Sequence, residues 1–214
     1  MTLPRRFTLV AVFALALAIV LGGAWLMVVL RTRPAPERVS SLVTQIGGPF
    51  TLIDTSGKTV TDQTYRGKWM LIFFGYTACP DACPTALNNM SVALAKLGPK
   101  AANLQPLFIT VDPKRDTPRV LADYLRSFDP RITGLSGSPA QIDEVTKIYR
   151  VYAAPREGGG SKYYLVDHSA YLYVMDPRGK FVKVIGGGES GDRMADKLRL
   201  IMGGWHVTST TLPA

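Results

Sequence analysis

Cysteine and histidine are scarce in this chain of 214 residues, which holds two of each. Two cysteines exclude a multi-disulfide scaffold, so an apolar core must hold the fold. A structural zinc site normally closes with four protein ligands, and no convincing fourth is present. Charge of either sign is absent from Phe7 to Leu30, a run of 24 residues. Basic residues outnumber acidic ones and the net charge is +9, yet they stand singly or as the pair Lys114-Arg115. Without a dense Lys/Arg run interleaved with aromatics, a nucleic-acid-binding surface is not expected. No internal repeat is evident.

The uncharged run at the N-terminus is the first positive feature. A helix of that length spans roughly 36 Å, more than the roughly 30 Å hydrocarbon core of a bilayer. Gly22-Gly23-Ala24 offers the small residues of a signal-peptide cleavage site, but the apolar run continues through Trp25 to Leu30. An uncleaved membrane anchor is therefore expected. Arg5 and Arg6 flank one end, and Arg31, Arg33 and Arg38 flank the other, so charge alone leaves the orientation open. The expected organisation is a short cytoplasmic segment over 1–6, the anchor over 7–30 and a Pro-stiffened linker over 31–44. A domain over 45–205 and a tail over 206–214 follow. A basic domain on an anchor suits anionic lipid headgroups or an acidic partner, and equally a merely soluble basic surface.

From about Gln45 onward, strand-like and helix-like segments alternate. Phe50–Ile53, Trp69–Phe74, Leu107–Val111, Tyr163–Val166, Ala170–Met175 and Phe181–Ile185 read as strands, the last two joined at the turn Asp176-Pro177-Arg178-Gly179. Helices are expected over Cys83–Leu97, Pro118–Phe128, Pro139–Tyr149 and about Gly191–Met202. The pattern predicts an α/β fold with helices on both faces of a sheet.

The two cysteines lie in Phe74-Gly75-Tyr76-Thr77-Ala78-Cys79-Pro80-Asp81-Ala82-Cys83-Pro84, three residues apart at a strand-to-helix junction. The free N–H groups and dipole of a helix start favour thiolate over thiol. Such a pair can form a disulfide, attack a substrate or bind a metal. His206 lies in the tail and reads as solvated. His168, in Val166-Asp167-His168-Ser169, stands at the entrance to a strand, after the glycines of Gly158–Gly160, which predict a mobile loop. Taken alone, a histidine there is more often structural. Two thiolates and one imidazole nevertheless make a set that suits copper, the thiolates favouring Cu(I) and the imidazole helping to accommodate Cu(II). The scattered methionines read as core residues.

Three blocks resemble the motifs of one family: Phe74–Pro84, then Val111-Asp112-Pro113-Lys114-Arg115-Asp116-Thr117, then Val166–Ser169. In order and spacing they are similar to the Sco/SenC proteins, membrane-anchored copper proteins of thioredoxin-like fold that assist cytochrome c oxidase assembly. The resemblance runs from roughly Val43 to Met202. It implies a thioredoxin-like domain with a mixed central β-sheet flanked by helices. Cys79, Cys83 and His168 become copper ligands for Cu(I) and Cu(II), and Asp112 a supporting residue near the site. Tyr76 stands where Phe is common in the family, which leaves the ligand set untouched. The resemblance further implies a domain facing the periplasm from a bacterial inner membrane, the mitochondrial inner membrane being the other possibility. The partners it implies are subunit II of the oxidase, whose binuclear copper site would be loaded or reduced, and a protein that donates copper. Two other readings stay open: a thiol–disulfide oxidoreductase acting on a periplasmic partner without physiological copper binding, with Cys79 and Cys83 as its redox-active disulfide, and a redox sensor or peroxidase-like relative. Apart from thiol–disulfide reduction, no enzymatic role is expected.

Overall fold

The computed structural model describes residues 18–19, 21–27, 46–156 and 164–204. The chain divides into two compact units, Met1–Thr44 and Gln45–Ala214. In the first, residues 18–19 and 21–27 are helical. Among the described residues no helix is long and apolar enough to cross a membrane. The remainder of the expected anchor, its linker, the Gly158–Gly160 loop and His206 lie outside the described residues.

The second unit is built on β3 (Trp69–Gly75), whose seven residues are all buried. Alternate side chains serve opposite faces of a strand. Trp69, Leu71 and Phe73 enter one core cluster, while Met70, Ile72 and Phe74 enter another. A strand covered on both faces has to be apolar at every position, which is why this run shows no alternation. On its first face lie α1 (Ala82–Leu97), α2 (Pro118–Leu125) and α4 (Gly191–Gly203); on its second lies α3 (Pro139–Tyr149), through Ile142, Val145 and Tyr149.

The seven-stranded sheet has the order β2-β1-β5-β4-β3-β8-β9. Its remaining strands are β1 (Thr51–Asp54), β2 (Thr59–Thr61), β4 (Leu104–Thr110), β5 (Thr133–Ser136), β8 (Tyr171–Met175) and β9 (Phe181–Gly186). β4 runs parallel to β3 after the α1 crossover, and β8 runs antiparallel on the other side. The sheet is therefore mixed and flanked by helices, as expected. A separate two-stranded hairpin pairs β6 (Ala153–Pro155) with β7 (Val166–His168).

Several boundaries depart from the sequence reading. β4 starts at Leu104 and includes Pro106, whose only strand neighbour is β3, because β5 joins from Leu107 onward. Proline is tolerated in that edge-like setting. α2 stops at Leu125, since Asp129 precedes Pro130 and the last residues tighten into turns, with the Phe128 N–H on the Leu125 carbonyl at 3.0 Å. His168 closes β7 rather than opening the next strand, and that strand begins at Tyr171.

Candidate metal centre

The C-terminal ends of parallel strands are where open α/β sheets place their sites. Past the end of β3 the chain turns through Tyr76 to Asp81 and begins α1. Cys83 and Pro84 fall in the first helical turn, where N–H groups have no intrahelical acceptor, so the missing N–H of Pro84 leaves no gap. The free Cys83 N–H points to Cys79 Sγ at 3.4 Å, so the first sulfur partly caps the helix that carries the second. Gly75 makes room for the second sulfur: a Cβ there would lie 2.7 Å from Cys83 Sγ and 2.8 Å from the Phe108 ring.

His168 arrives from the hairpin. Its Nδ1 lies 3.2 Å from the Ser169 carbonyl oxygen. A carbonyl can only accept, so Nδ1 carries the proton and Nε2 is left with its lone pair. Nε2 lies 3.3 Å from Cys83 Sγ. The Tyr76 and Phe73 rings meet the imidazole edge-on, with centroids at 5.7 and 6.1 Å. One ligand atom each from Cys79, Cys83 and His168 lies within 4.8 Å of the others, a group that could hold a metal ion. Both cysteines are free thiols; Cys83 is buried and Cys79 partly exposed, facing a cleft of about 290 Å³.

Burial pushes the Cys83 thiol well above its usual range, against the expectation that a helix start favours thiolate. Burial also lowers the His168 pKa, opposed by hydrogen bonds with the Ser169 and Phe74 backbone, so the neutral ring is favoured. Neutral imidazole and deprotonated sulfur are the forms that bind metal. Binding a metal at Cys83 would therefore release a proton, whereas neutral His168 would have none to lose.

Asp112 does not touch the three ligand atoms. Its carboxylate accepts from Arg115 Nε, and from the Tyr164 hydroxyl at 2.6 Å. Arg115 also donates to the Tyr164 carbonyl at 2.8 Å, and its guanidinium lies 3.8 Å from the Tyr164 ring centroid and 5.6 Å from that of Tyr76. The Tyr76 hydroxyl accepts the Val166 N–H at 3.2 Å. Asp112 thus ties the segment leading into β7 to the β4–α2 loop.

Asp116, given no role from the sequence, holds the cysteine loop. It is fully buried, and its carboxylate accepts from the Thr77 N–H at 3.0 Å, the Thr77 hydroxyl at 2.6 Å and the Thr110 hydroxyl at 2.7 Å. Burial raises its pKa while these hydrogen bonds oppose the rise. Its place beside Thr117 in the second motif block was the available signal, but an acid near a turn reads as exposed by default.

A family model described as SCO1/SenC matches residues 39–203. The chain belongs to the SCO1/SenC family. The family's relatives include Protein sco1 of Schizosaccharomyces pombe, 45% identical over 154 residues, covering 71% of this chain and 59% of that protein. The SCO2-like protein of Rickettsia felis is 39% identical over 177 residues, covering 80% of this chain and 86% of that one. Among solved structures, Bradyrhizobium japonicum ScoI with copper bound matches with a TM-score of 0.68 and 46% identity, over 72% of this chain and 98% of that one. The chain thus spans about three-fifths of the length of the S. pombe relative.

Proposed function

We propose that this protein carries copper for the assembly of cytochrome c oxidase, holding the ion between Cys79 Sγ, Cys83 Sγ and His168 Nε2. The convergence of those three atoms within 4.8 Å carries the reading. The donor set supports it: two sulfurs suit Cu(I), and an imidazole with a free Nε2 lets the same site retain Cu(II). The Ser169 carbonyl fixes the tautomer, as an outer-shell partner of a ligating histidine should. Asp112 supports the site through Arg115 and Tyr164.

Copper is cargo, so it must leave as readily as it arrives. Cys79 faces the cleft and is the sulfur an acceptor's ligand reaches first, while Cys83 is buried and parts last. The recipient in this reading is the binuclear copper site of oxidase subunit II, and a separate protein supplies the ion. Residues 7–30 anchor the chain, 31–44 link, and 45–205 work on the periplasmic side of a bacterial inner membrane. The two free thiols also support a second reading, reduction of the recipient's cysteines by thiol–disulfide exchange.

The test is a titration of the full-length protein in detergent with Cu(I) and with Cu(II), as wild type and as His168→Ala. One copper per chain is expected, with a thiolate-to-Cu(II) charge-transfer band. The variant should keep Cu(I) and lose Cu(II) affinity by more than the roughly 10–100-fold that removal of an outer-shell partner costs. Equal Cu(II) affinity in the two proteins, with efficient disulfide exchange, would decide for the reductase.

A further inference from the structure

Four lysines stand at the end of the domain opposite the candidate metal centre. Cys79, Cys83 and His168 lie beyond the C-terminal end of β3. At its N-terminal end stand Lys68, which directly precedes β3, Lys100, in the turn leading to β4, and Lys180, in the β8–β9 turn. Lys183 follows on edge strand β9, opposite Val174. Backbone pairing sets these segments side by side: Trp69 pairs with Leu104, Met70 with Met175, and the Gly67 N–H donates to the Pro177 carbonyl at 2.9 Å. All four lysines are exposed, and none makes an ion pair among the described residues. Nearby acids are already engaged, Asp62 by Arg66 at 2.6 Å and Asp176 by Arg178 at 3.4 Å, and both are buried. Around the candidate metal centre Arg115 is paired with Asp112 and Arg156 with Asp167, while Lys114 stands exposed without an ion pair among the described residues.

The chain enters the domain on the side of this basic pole. The Gly47 N–H donates to the Ile148 carbonyl at 2.8 Å, and a Cβ on Gly47 would lie 2.6 Å from Met175 Cε, on the residue before the Asp176–Lys180 turn. What precedes it is a linker of about fifteen residues, which reaches at most roughly 50 Å when fully extended, and then the uncharged run of residues 7–30.

We infer that the pole formed by Lys68, Lys100, Lys180 and Lys183 docks on an anionic lipid surface, so that the metal centre faces away from the bilayer. The inference rests on the anchor reading. Basic side chains near an anionic leaflet are attracted within about a Debye length, and a short tether keeps them in that range. Four lysines without ion pairs on one end match such a surface, whereas around the cysteines two of the basic residues, Arg115 and Arg156, are already neutralised by Asp112 and Asp167. The consequence is orientation: the copper-bearing end is held toward partners that project from the membrane, and the basic end is withheld from them.

The experiment is amine footprinting of the full chain reconstituted in vesicles of phosphatidylcholine alone or mixed with phosphatidylglycerol, read by mass spectrometry after brief acylation. With phosphatidylglycerol, labelling of Lys68, Lys100, Lys180 and Lys183 should fall by about fivefold, return in high salt, and leave Lys114, at the metal end, unchanged. In Lys100→Glu/Lys180→Glu the protection of Lys68 and Lys183 should vanish while copper stoichiometry stays at wild type. Equal labelling on the two kinds of vesicle, or equal protection of Lys114, overturns the inference and leaves the pole to an acidic protein. Release of the chain from phosphatidylcholine vesicles by alkaline carbonate would remove the anchor reading, and the footprint on phosphatidylglycerol would still decide the pole.

Discussion

The two halves of the candidate metal centre are built to different standards. The sulfurs are held against the core: Cys83 is fully buried on α1, which packs on β3, Cys79 packs against the same cluster while partly exposed, and the loop is clamped by a fully buried Asp116. The imidazole sits on a hairpin of two three-residue strands, partly exposed, and fastened from behind by Tyr76, Arg115 and Tyr164. A short isolated hairpin has little stability of its own. The difference teaches a division of labour. The thiol half is held by the core itself, and the histidine half by a few side-chain contacts on a short hairpin.

That contrast can be broken or sharpened in sequence. Replacing both cysteines with serine should abolish copper binding altogether, measured by metal analysis after gel filtration, because the imidazole half alone offers a single ligand. Asp116→Ala should destabilise the domain by about 3–5 kcal/mol in urea unfolding, since it strips the acceptor from three donors at once. If it unfolds at the wild-type midpoint, the clamp is not structural. Arg115→Met should cost only about 1–2 kcal/mol globally, but raise amide exchange in Val166–His168 well above that in β3. Uniform exchange across both would erase the distinction between the halves.

The smallest effect is that of pH. His168 titrates below its unfolded value near 6.5 because it is buried. As pH falls through that interval the unfolded chain takes up the proton first, so stability declines toward acid and is fully present above it. His168→Gln should flatten this slope in metal-free protein, read from urea unfolding across that pH interval. An unchanged slope would assign it to another group.

Much of the first half was legible in the sequence and little of the second. β3 announces itself as an unbroken apolar run, and α1 follows from its helical pattern and Pro84, so the position of the cysteines at their junction could be read directly. The hairpin strands are too short for alternation to register, and β6 consists of Ala153, Ala154 and Pro155, which carry no β signal. His168 therefore looked like the start of β8. Asp112 was placed near the site by the motif it shares with Asp116, yet only the tertiary structure separates the two: one reaches the hairpin through Arg115, the other the cysteine loop. Burial of a polar side chain is a property of the assembled fold and leaves no local trace in composition.

Gly75 acts as a ruler. Its carbonyl accepts the Val111 N–H at 2.8 Å and its strand pairs with Thr110, so the backbone cannot retreat. Phe108, on the far side, is wedged by Phe73 and Tyr124, with ring centroids at 6.0 Å from each. A methyl group at position 75 would have one direction left in which to make room, toward Cys83 Sγ. The width of a single hydrogen atom on the backbone thus leaves Cys83 Sγ where Cys79 Sγ and His168 Nε2 converge on it.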